Sequence, residues 1–408
     1  MERLISLFGI VVFLAIAWVL CPRKLRRAIE WRTTALGMLI LFVFAFLVLR
    51  TPVNGLFRIA NSGVERLLAF SSEGARFVFG NLVADTKSFG FIFAFQVLPT
   101  IIFFAALMAV LYYLRVMPFI ISKMGRFLSK TLRVSGAESF SVVADIFVGH
   151  TEAPLVIRPY LPTVTNSELM TCMTCGMATT AVGVLAAYVW MLRDFVPGVA
   201  GHLIACSVMC APASIVIAKL MLPEIGKPET GGNAKIEIST GDANLVDAVA
   251  RGTSDGLHLA LNVAAMLISF LALVAMVNFG LHKLGTSLEA ILGIVFAPIA
   301  WLMGVPWVDV TNVGGLLGQK MVLNEFVAYS KMGEALRADP TFLTERGRLI
   351  AAYALCGFAN FSSIGIQIGG YSALAPNRRS DLSRLAFRAM IAGTLATCMS
   401  AAVAGLLL

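Results

Sequence analysis

Apolar runs of membrane-spanning length recur along the chain, and the polar residues between them fall mostly at run ends. The clear runs are Leu4 to Leu20, Thr33 to Leu49, Phe89 to Leu114, Leu169 to Trp190, Val196 to Leu222, Leu257 to Leu284 and Leu385 to Leu408. An eighth, Leu349 to Leu374, is interrupted by Gly357, Asn360, Ser362, Ser363 and Gly365. The first run is read as a span and not as a cleaved signal peptide. It has no strong basic leader and no A-x-A site, and basic residues follow it instead. Met117 to Arg133 alternates apolar and basic residues at helical spacing, which predicts an interfacial amphipathic helix. Thr51 to Lys87 is polar enough to be expected outside the bilayer or at its surface.

Two further segments are apolar but too short to cross. In Gly136 to Pro159 the apolar pieces Val142 to Val148 and Ala153 to Ile157 are separated by Gly149, His150, Thr151 and Glu152. In Val308 to Tyr329 the breaks are Gly314, Gly315, Gly318, Gln319 and Lys320, then Asn324 and Glu325. Such pieces predict re-entrant hairpins, because non-helical backbone at membrane depth survives only where protein buries it or water fills a cavity. The alternative is a surface loop with a short amphipathic helix. An ionisable group at bilayer depth costs roughly 2.5–3.5 kcal/mol, so Glu152 and Glu325 are expected to face a polar cavity.

Composition supports the class. The chain is 58% hydrophobic and 13% charged, against about 25% charged in a soluble domain. The net charge of +9 does not signal nucleic acid, because Lys and Arg cluster at span ends. One cluster is Arg23, Lys24, Arg26, Arg27 and Arg32, a second Arg115, Lys123, Arg126, Lys130 and Arg133, a third Arg378, Arg379, Arg384 and Arg388. The positive-inside rule puts all three in the cytoplasm, with the polar stretch Glu224 to Asp255. Eight spans then place both termini outside, in the periplasm of an expected bacterial inner membrane. Arg158 is expected to be a cytoplasmic anchor, and His202, His258 and His282 to be interfacial.

The cysteines call for no disulfide. Cys172, Cys175, Cys206, Cys210, Cys356 and Cys398 lie in apolar runs, where thiols behave as small hydrophobes. His150-Thr151-Glu152 followed by Cys172-x-x-Cys175 mimics a zinc deaminase signature, but Thr171 stands where Pro belongs and both cysteines lie inside a span. No cofactor is expected.

The segments after the two hairpins resemble each other. Cys175-Gly176-Met177-Ala178-Thr179 and Cys356-Gly357-Phe358-Ala359-Asn360 share one pattern, and each follows a Glu-bearing hairpin. Two hairpins entering from opposite sides, each followed by a broken helix, predict an inverted repeat with its site at the midplane, the plan of secondary transporters. The fold class expected is therefore an all-α polytopic membrane protein with about eight transmembrane helices and two re-entrant hairpins. The expected divisions are N-terminal helices over 1–133, a first repeat over 134–223, a cytoplasmic loop and long helix over 224–303 and a second repeat over 304–408.

The run VGHTEAPLVIRPYL, then NEFVAY, then LCGFANFSSIGIQIGG closely resembles the concentrative nucleoside transporter family. The resemblance covers most of the chain from about Val134 onward, and the earlier part matches mainly in span pattern. It implies a homotrimer of cation–nucleoside symporters with elevator-type movement of a transport domain. It also implies that Gly149, His150, Thr151, Glu152 and Val184 face the base. Glu325, Asn360 and Ser363 would bind the ribose, and Phe358 would line the site. The chemistry is suited: ribose hydroxyls donate to carboxylate and carboxamide oxygens, and Thr, Glu and His can read a base edge. The bland alternative is that Glu325 or Asn360 only satisfies freed helix-end backbone.

Two positions depart from the family pattern. Many sodium-coupled members have Asn at Asp145 and Gln at His150. The resemblance makes Asp145, Val148, Thr179 and Thr180 the sodium positions. A carboxylate suits a hard cation, and a buried carboxylate can instead carry a proton, so sodium and proton coupling both stand, with sodium slightly ahead. His150 is read as altering base preference, as titrating near neutral pH, or as a hydrogen-bonded spacer. A rival reading is an intramembrane enzyme using Glu152 and Glu325 as an acid/base pair, and a third is a channel-like pore. Purine against pyrimidine preference and coupling stoichiometry stay open.

Overall fold

Polar caps punctuate an otherwise apolar chain and set where its helices begin. The computed structural model describes residues 1–51, 54–85, 92–231 and 242–408. These residues form helices and connecting turns, with no strand among them. The N-terminal part comprises α1 (Glu2–Val19), α2 (Trp31–Arg50), α3 (Asn54–Phe79), α4 (Leu98–Tyr113) and α5 (Val116–Leu132). Helix α6 (Gly136–Val148) opens on a capping box in which the Ser135 hydroxyl takes the Glu138 N–H and Glu138 returns the bond. Its tip leads into a single turn, Ala153–Val156. A second capping box, Thr165 with Glu168, starts α7 (Asn166–Ala178), followed by α8 (Val182–Leu192) and α9 (Val199–Met221).

The second half repeats this order. After α10 (Leu245–His282) and α11 (Leu288–Leu302) come a pair of short helices, α12 (Val310–Val322) and α13 (Glu325–Ala338). A broken pair follows, α14 (Glu345–Leu355) and α15 (Phe361–Leu374), and then the long α16 (Arg379–Leu407). Asn324, Thr344 and Asn360 cap α13, α14 and α15, each accepting a backbone N–H three residues on. Helix α7 packs against α16 and α9, and α14 packs against α16, so the centre of the molecule mixes elements of both halves.

Burial separates centre from periphery. Of the most apolar stretch of α9, 83% is buried, against 11% for α10. Helix α10 turns Leu261, Ile268, Met276 and Phe279 outward, which suits hydrocarbon. Its small residues Ala248, Gly252, Gly256 and Ala260 face inward. A Cβ on Gly252 would sit 2.6 Å from that of Ala109, and one on Gly256 2.8 Å from that of Ala105, so α10 and α4 meet backbone to backbone.

Among the described residues seven stretches are long and apolar enough to span a membrane, and they coincide with the seven clear runs. Leu349 to Leu374 divides, as expected of a broken helix, into α14 and α15, of 11 and 14 residues, each too short to cross alone. Two expectations change. The long helix α10 starts at Leu245 and takes up part of the stretch expected to be polar loop, because the Asn244 carboxamide accepts the Asp247 N–H at 2.9 Å and caps it. Helix α11, 15 residues with Pro298 inside, was not anticipated, since its run is shorter than a bilayer. Part of the unplaced stretch Thr51 to Lys87 is the amphipathic α3. Residues 52–53, 86–91 and 232–241, which include the start of the Phe89 to Leu114 run, lie outside the described residues. The helix expected over Met117 to Arg133 is α5.

Candidate functional site

The two helix breaks touch. In the first half the chain leaves α7 at Thr179 and re-enters a helix at Val182; in the second it leaves α14 at Cys356 and re-enters at Phe361. The Gly357 N–H donates to the Thr180 hydroxyl at 2.8 Å. Gly357 has φ +110°, and a Cβ there would collide with the Ala178 carbonyl oxygen. Only glycine fits this left-handed, close crossing. The shared five-residue pattern is offset in the structure: Cys175 to Ala178 are still helical, whereas Cys356 to Asn360 form the break itself.

Glu325 sits at this crossing. It is 5% exposed. Its Oε1 accepts from the Tyr188 hydroxyl at 3.1 Å and its Oε2 from Asn360 Nδ2 at 2.8 Å. Asn360 also accepts the Ser363 N–H at 2.9 Å and the Ser362 hydroxyl at 2.7 Å through Oδ1. One carboxamide thus caps α15 and holds the acid. Tyr188 stacks on Tyr329 with centroids 4.3 Å apart and meets Phe326 edge-on at 5.0 Å. Val184 lies one turn before Tyr188 on the same face of α8. Lys320, also buried, donates to the carbonyls of Ala354 and Cys356 at 2.9 and 3.4 Å, satisfying orphan acceptors at the end of α14.

Phe358 joins this cluster to the first hairpin. Its carbonyl accepts the Asn360 N–H at 2.9 Å. Its ring lies 4.8 Å from that of His150. A Cβ on Gly149, where φ is +86°, would lie 3.7 Å from the ring. Thr151 and Glu152 stay exposed at the tip. Glu152 lies within electrostatic reach of Arg251 and Asp255 on α10, while Glu325 is buried with both oxygens engaged. Among the described residues no hydrogen bond joins the two acids.

Asp145, on α6, is fully buried, and neither carboxylate oxygen finds a hydrogen-bond partner among the described residues. The Cys175 thiol is beside it. The buried Ser141 and Tyr371 hydroxyls lie beside each other nearby. Thr179 donates its hydroxyl to the Cys175 carbonyl at 2.9 Å. Val148 ends α6 just before the tip.

Residues 202–405 match the family described as the Na+ dependent nucleoside transporter C-terminus, residues 8–82 its N-terminus, and residues 94–195 a gate described as nucleoside recognition. An uncharacterized transporter, YutK, of Bacillus subtilis is 43% identical, with all of both chains covered. The nucleoside permease NupC of Helicobacter pylori is 40% identical over 99% of this chain and 98% of its own. The chain belongs to the concentrative nucleoside transporter family. Sodium/nucleoside cotransporter 1 of Mus musculus is 40% identical over the whole of this chain and 64% of its own length. The solved structure of CNTnw in an inward-facing substrate-bound state superimposes with a TM-score of 0.93 at 42% identity, covering 100% of this chain and 98% of that one. This member of the concentrative nucleoside transporter family is a multi-pass membrane transporter and not an enzyme.

Sequence reasoning missed Tyr188, Tyr329 and the cap made by Lys320. Lys320 carried a signal, as a lysine inside an apolar hairpin arm. The tyrosines carried none, because an aromatic residue in a span is ordinary.

Proposed function

We propose that the protein is a secondary active symporter that imports nucleosides down a cation gradient. The observation that carries this reading is the buried Glu325–Asn360–Tyr188 cluster at the crossing of the two breaks. Carboxylate oxygens so placed accept hydroxyl hydrogens, and a ribose supplies two such hydroxyls side by side. Glu325, Asn360 and Ser363 take the ribose. Gly149, His150, Thr151, Glu152 and Val184 face the base, with Phe358 between the two groups. The named activities of the relatives support the substrate class.

The residues at the coupling-ion position suit a cation. A buried carboxylate with the Cys175 thiol beside it and no cationic partner among the described residues is the group that a bound cation or a proton would satisfy. Asp145, Val148, Thr179 and Thr180 would hold a sodium ion through side-chain and backbone oxygens, the ligands a hard cation prefers. Asp145 alone would hold a proton. Sodium is the first reading because the matched family is described as sodium-dependent. One inward charge contributes about 2.3 kcal/mol per 100 mV, and coupling requires that the bound ion stabilise the substrate-loaded state. The same reading carries a homotrimer, an elevator-type movement, the four expected divisions, and a bacterial inner membrane with periplasmic termini.

The test is radiolabelled uridine uptake into proteoliposomes, under a sodium gradient at fixed pH and then under a proton gradient without sodium. Accumulation above the external concentration under sodium supports sodium coupling. Accumulation under protons alone makes Asp145 the proton carrier. Equilibration without accumulation would support a pore, and no movement of any nucleoside would sink the reading.

A further inference from the structure

We propose that His150 makes this site selective for nucleosides whose base carries an N–H donor. The proposal rests on the nucleoside reading above and deepens it. His150 Nδ1 lies 3.2 Å from the Gly176 carbonyl oxygen. A carbonyl has no hydrogen to give, so Nδ1 carries the hydrogen and donates. In the neutral ring Nε2 is then a bare acceptor. Among the described residues the ring's one hydrogen bond is that of Nδ1, and none reaches Nε2.

The ring is seated firmly. A Cβ on Gly176 would lie 2.6 Å from His150 Cβ and 2.7 Å from Gln367 Nε2, so the glycine is what lets the histidine approach α7. Gln367 is itself tied by its Nε2 to the Met173 carbonyl at 3.1 Å. Phe358 meets the imidazole at 66°, and His150 is 6% exposed. Turning the ring over would put a carbon against the Gly176 carbonyl and give up its hydrogen bond.

A carboxamide in this place would offer both an acceptor and a donor, and could turn to suit either base edge. The histidine cannot. A base with an N–H, such as the N3–H of uracil or the N1–H of hypoxanthine, donates to Nε2. A base with only lone pairs on that edge sets acceptor against acceptor and leaves both unpaired.

The test is competition against radiolabelled uridine uptake in proteoliposomes at mildly alkaline pH. Uridine is compared with pyrimidin-2-one riboside, and inosine with purine riboside; the second of each pair has no N–H on its base. Wild type should favour the donor-bearing nucleoside by about tenfold in each pair. His150→Gln should bring both ratios within about twofold, because its carboxamide can donate as well as accept. His150→Asn keeps a donor at the depth of Nδ1 for the Gly176 carbonyl but is too short to place its oxygen where Nε2 stands, so it should weaken uridine and also lose the preference. Wild-type ratios near one, or a full preference surviving in His150→Asn, would overturn the proposal. Uridine uptake with a ratio of one defeats this inference alone, whereas absence of all nucleoside uptake in wild type defeats the reading beneath it.

Discussion

Asn360 donates to Glu325 from one end of its carboxamide, at 2.8 Å, while the other end caps α15. The acid and the start of the second half-helix are therefore positioned by one side chain. Exchanging the two groups should reveal the link. Asn360→Asp still caps the helix but sets carboxylate against carboxylate, and initial uptake should fall at least about tenfold. Glu325→Gln loses the charge and falls similarly. The double variant restores a donor facing a carboxylate and should recover about tenfold over Asn360→Asp, a coupling of about 1–3 kcal/mol. Uptake rates at matched membrane levels decide it; a double variant no better than the worse single would show that the pair does not act together.

The Tyr188 hydroxyl aims Glu325, and its ring stacks on Tyr329. Tyr188→Phe keeps the stack and removes the donor. Nucleoside affinity should drop by about 3–10-fold, the worth of one ordinary intramolecular hydrogen bond, since Tyr188 acts on the nucleoside only through Glu325. Equilibrium binding to the purified protein reads this directly, and unchanged affinity would remove Tyr188 from the site.

Lys320 secures two carbonyls at the end of α14 from another element. Lys320→Met fills much of the same volume and leaves those acceptors bare. The expected cost is about 1–3 kcal/mol, seen as a lower melting temperature in detergent. A melting temperature equal to wild type would mean that water or lipid satisfies the carbonyls just as well.

The crossing of the two breaks depends on Gly357. Gly357→Ala forces a Cβ into the Ala178 carbonyl at φ +110° and should destabilise by about 1–3 kcal/mol, with loss of uptake. Gly365, by contrast, sits inside α15 with nothing within 4 Å of a Cβ built on it. Gly365→Ala should be neutral or stabilise by up to about 1 kcal/mol through helix propensity. Melting curves of the two variants, side by side, separate strain from a general intolerance of α15 to change.

The membrane class, the positions of the seven long apolar stretches and the breaks at Gly149, at Asn324 and between Cys356 and Asn360 were legible in the sequence, because each rests on a local rule; the expected break over Gly314 to Lys320 was not found, since α12 runs through it from Val310 to Val322. A run of about 20 apolar residues must satisfy its own backbone in lipid and becomes a helix. Asn324 and Asn360 stand where a new helix must be capped, whereas glycines inside a run, such as Gly314, Gly315 and Gly365, do not by themselves end a helix. Tertiary structure alone decided which side chains meet. Tyr188 reaches Glu325 across 137 positions and Lys320 reaches Ala354 across 34. No periodicity or spacing encodes such pairs, since they arise when two separately broken helices are packed against one another and their freed polar groups must find partners.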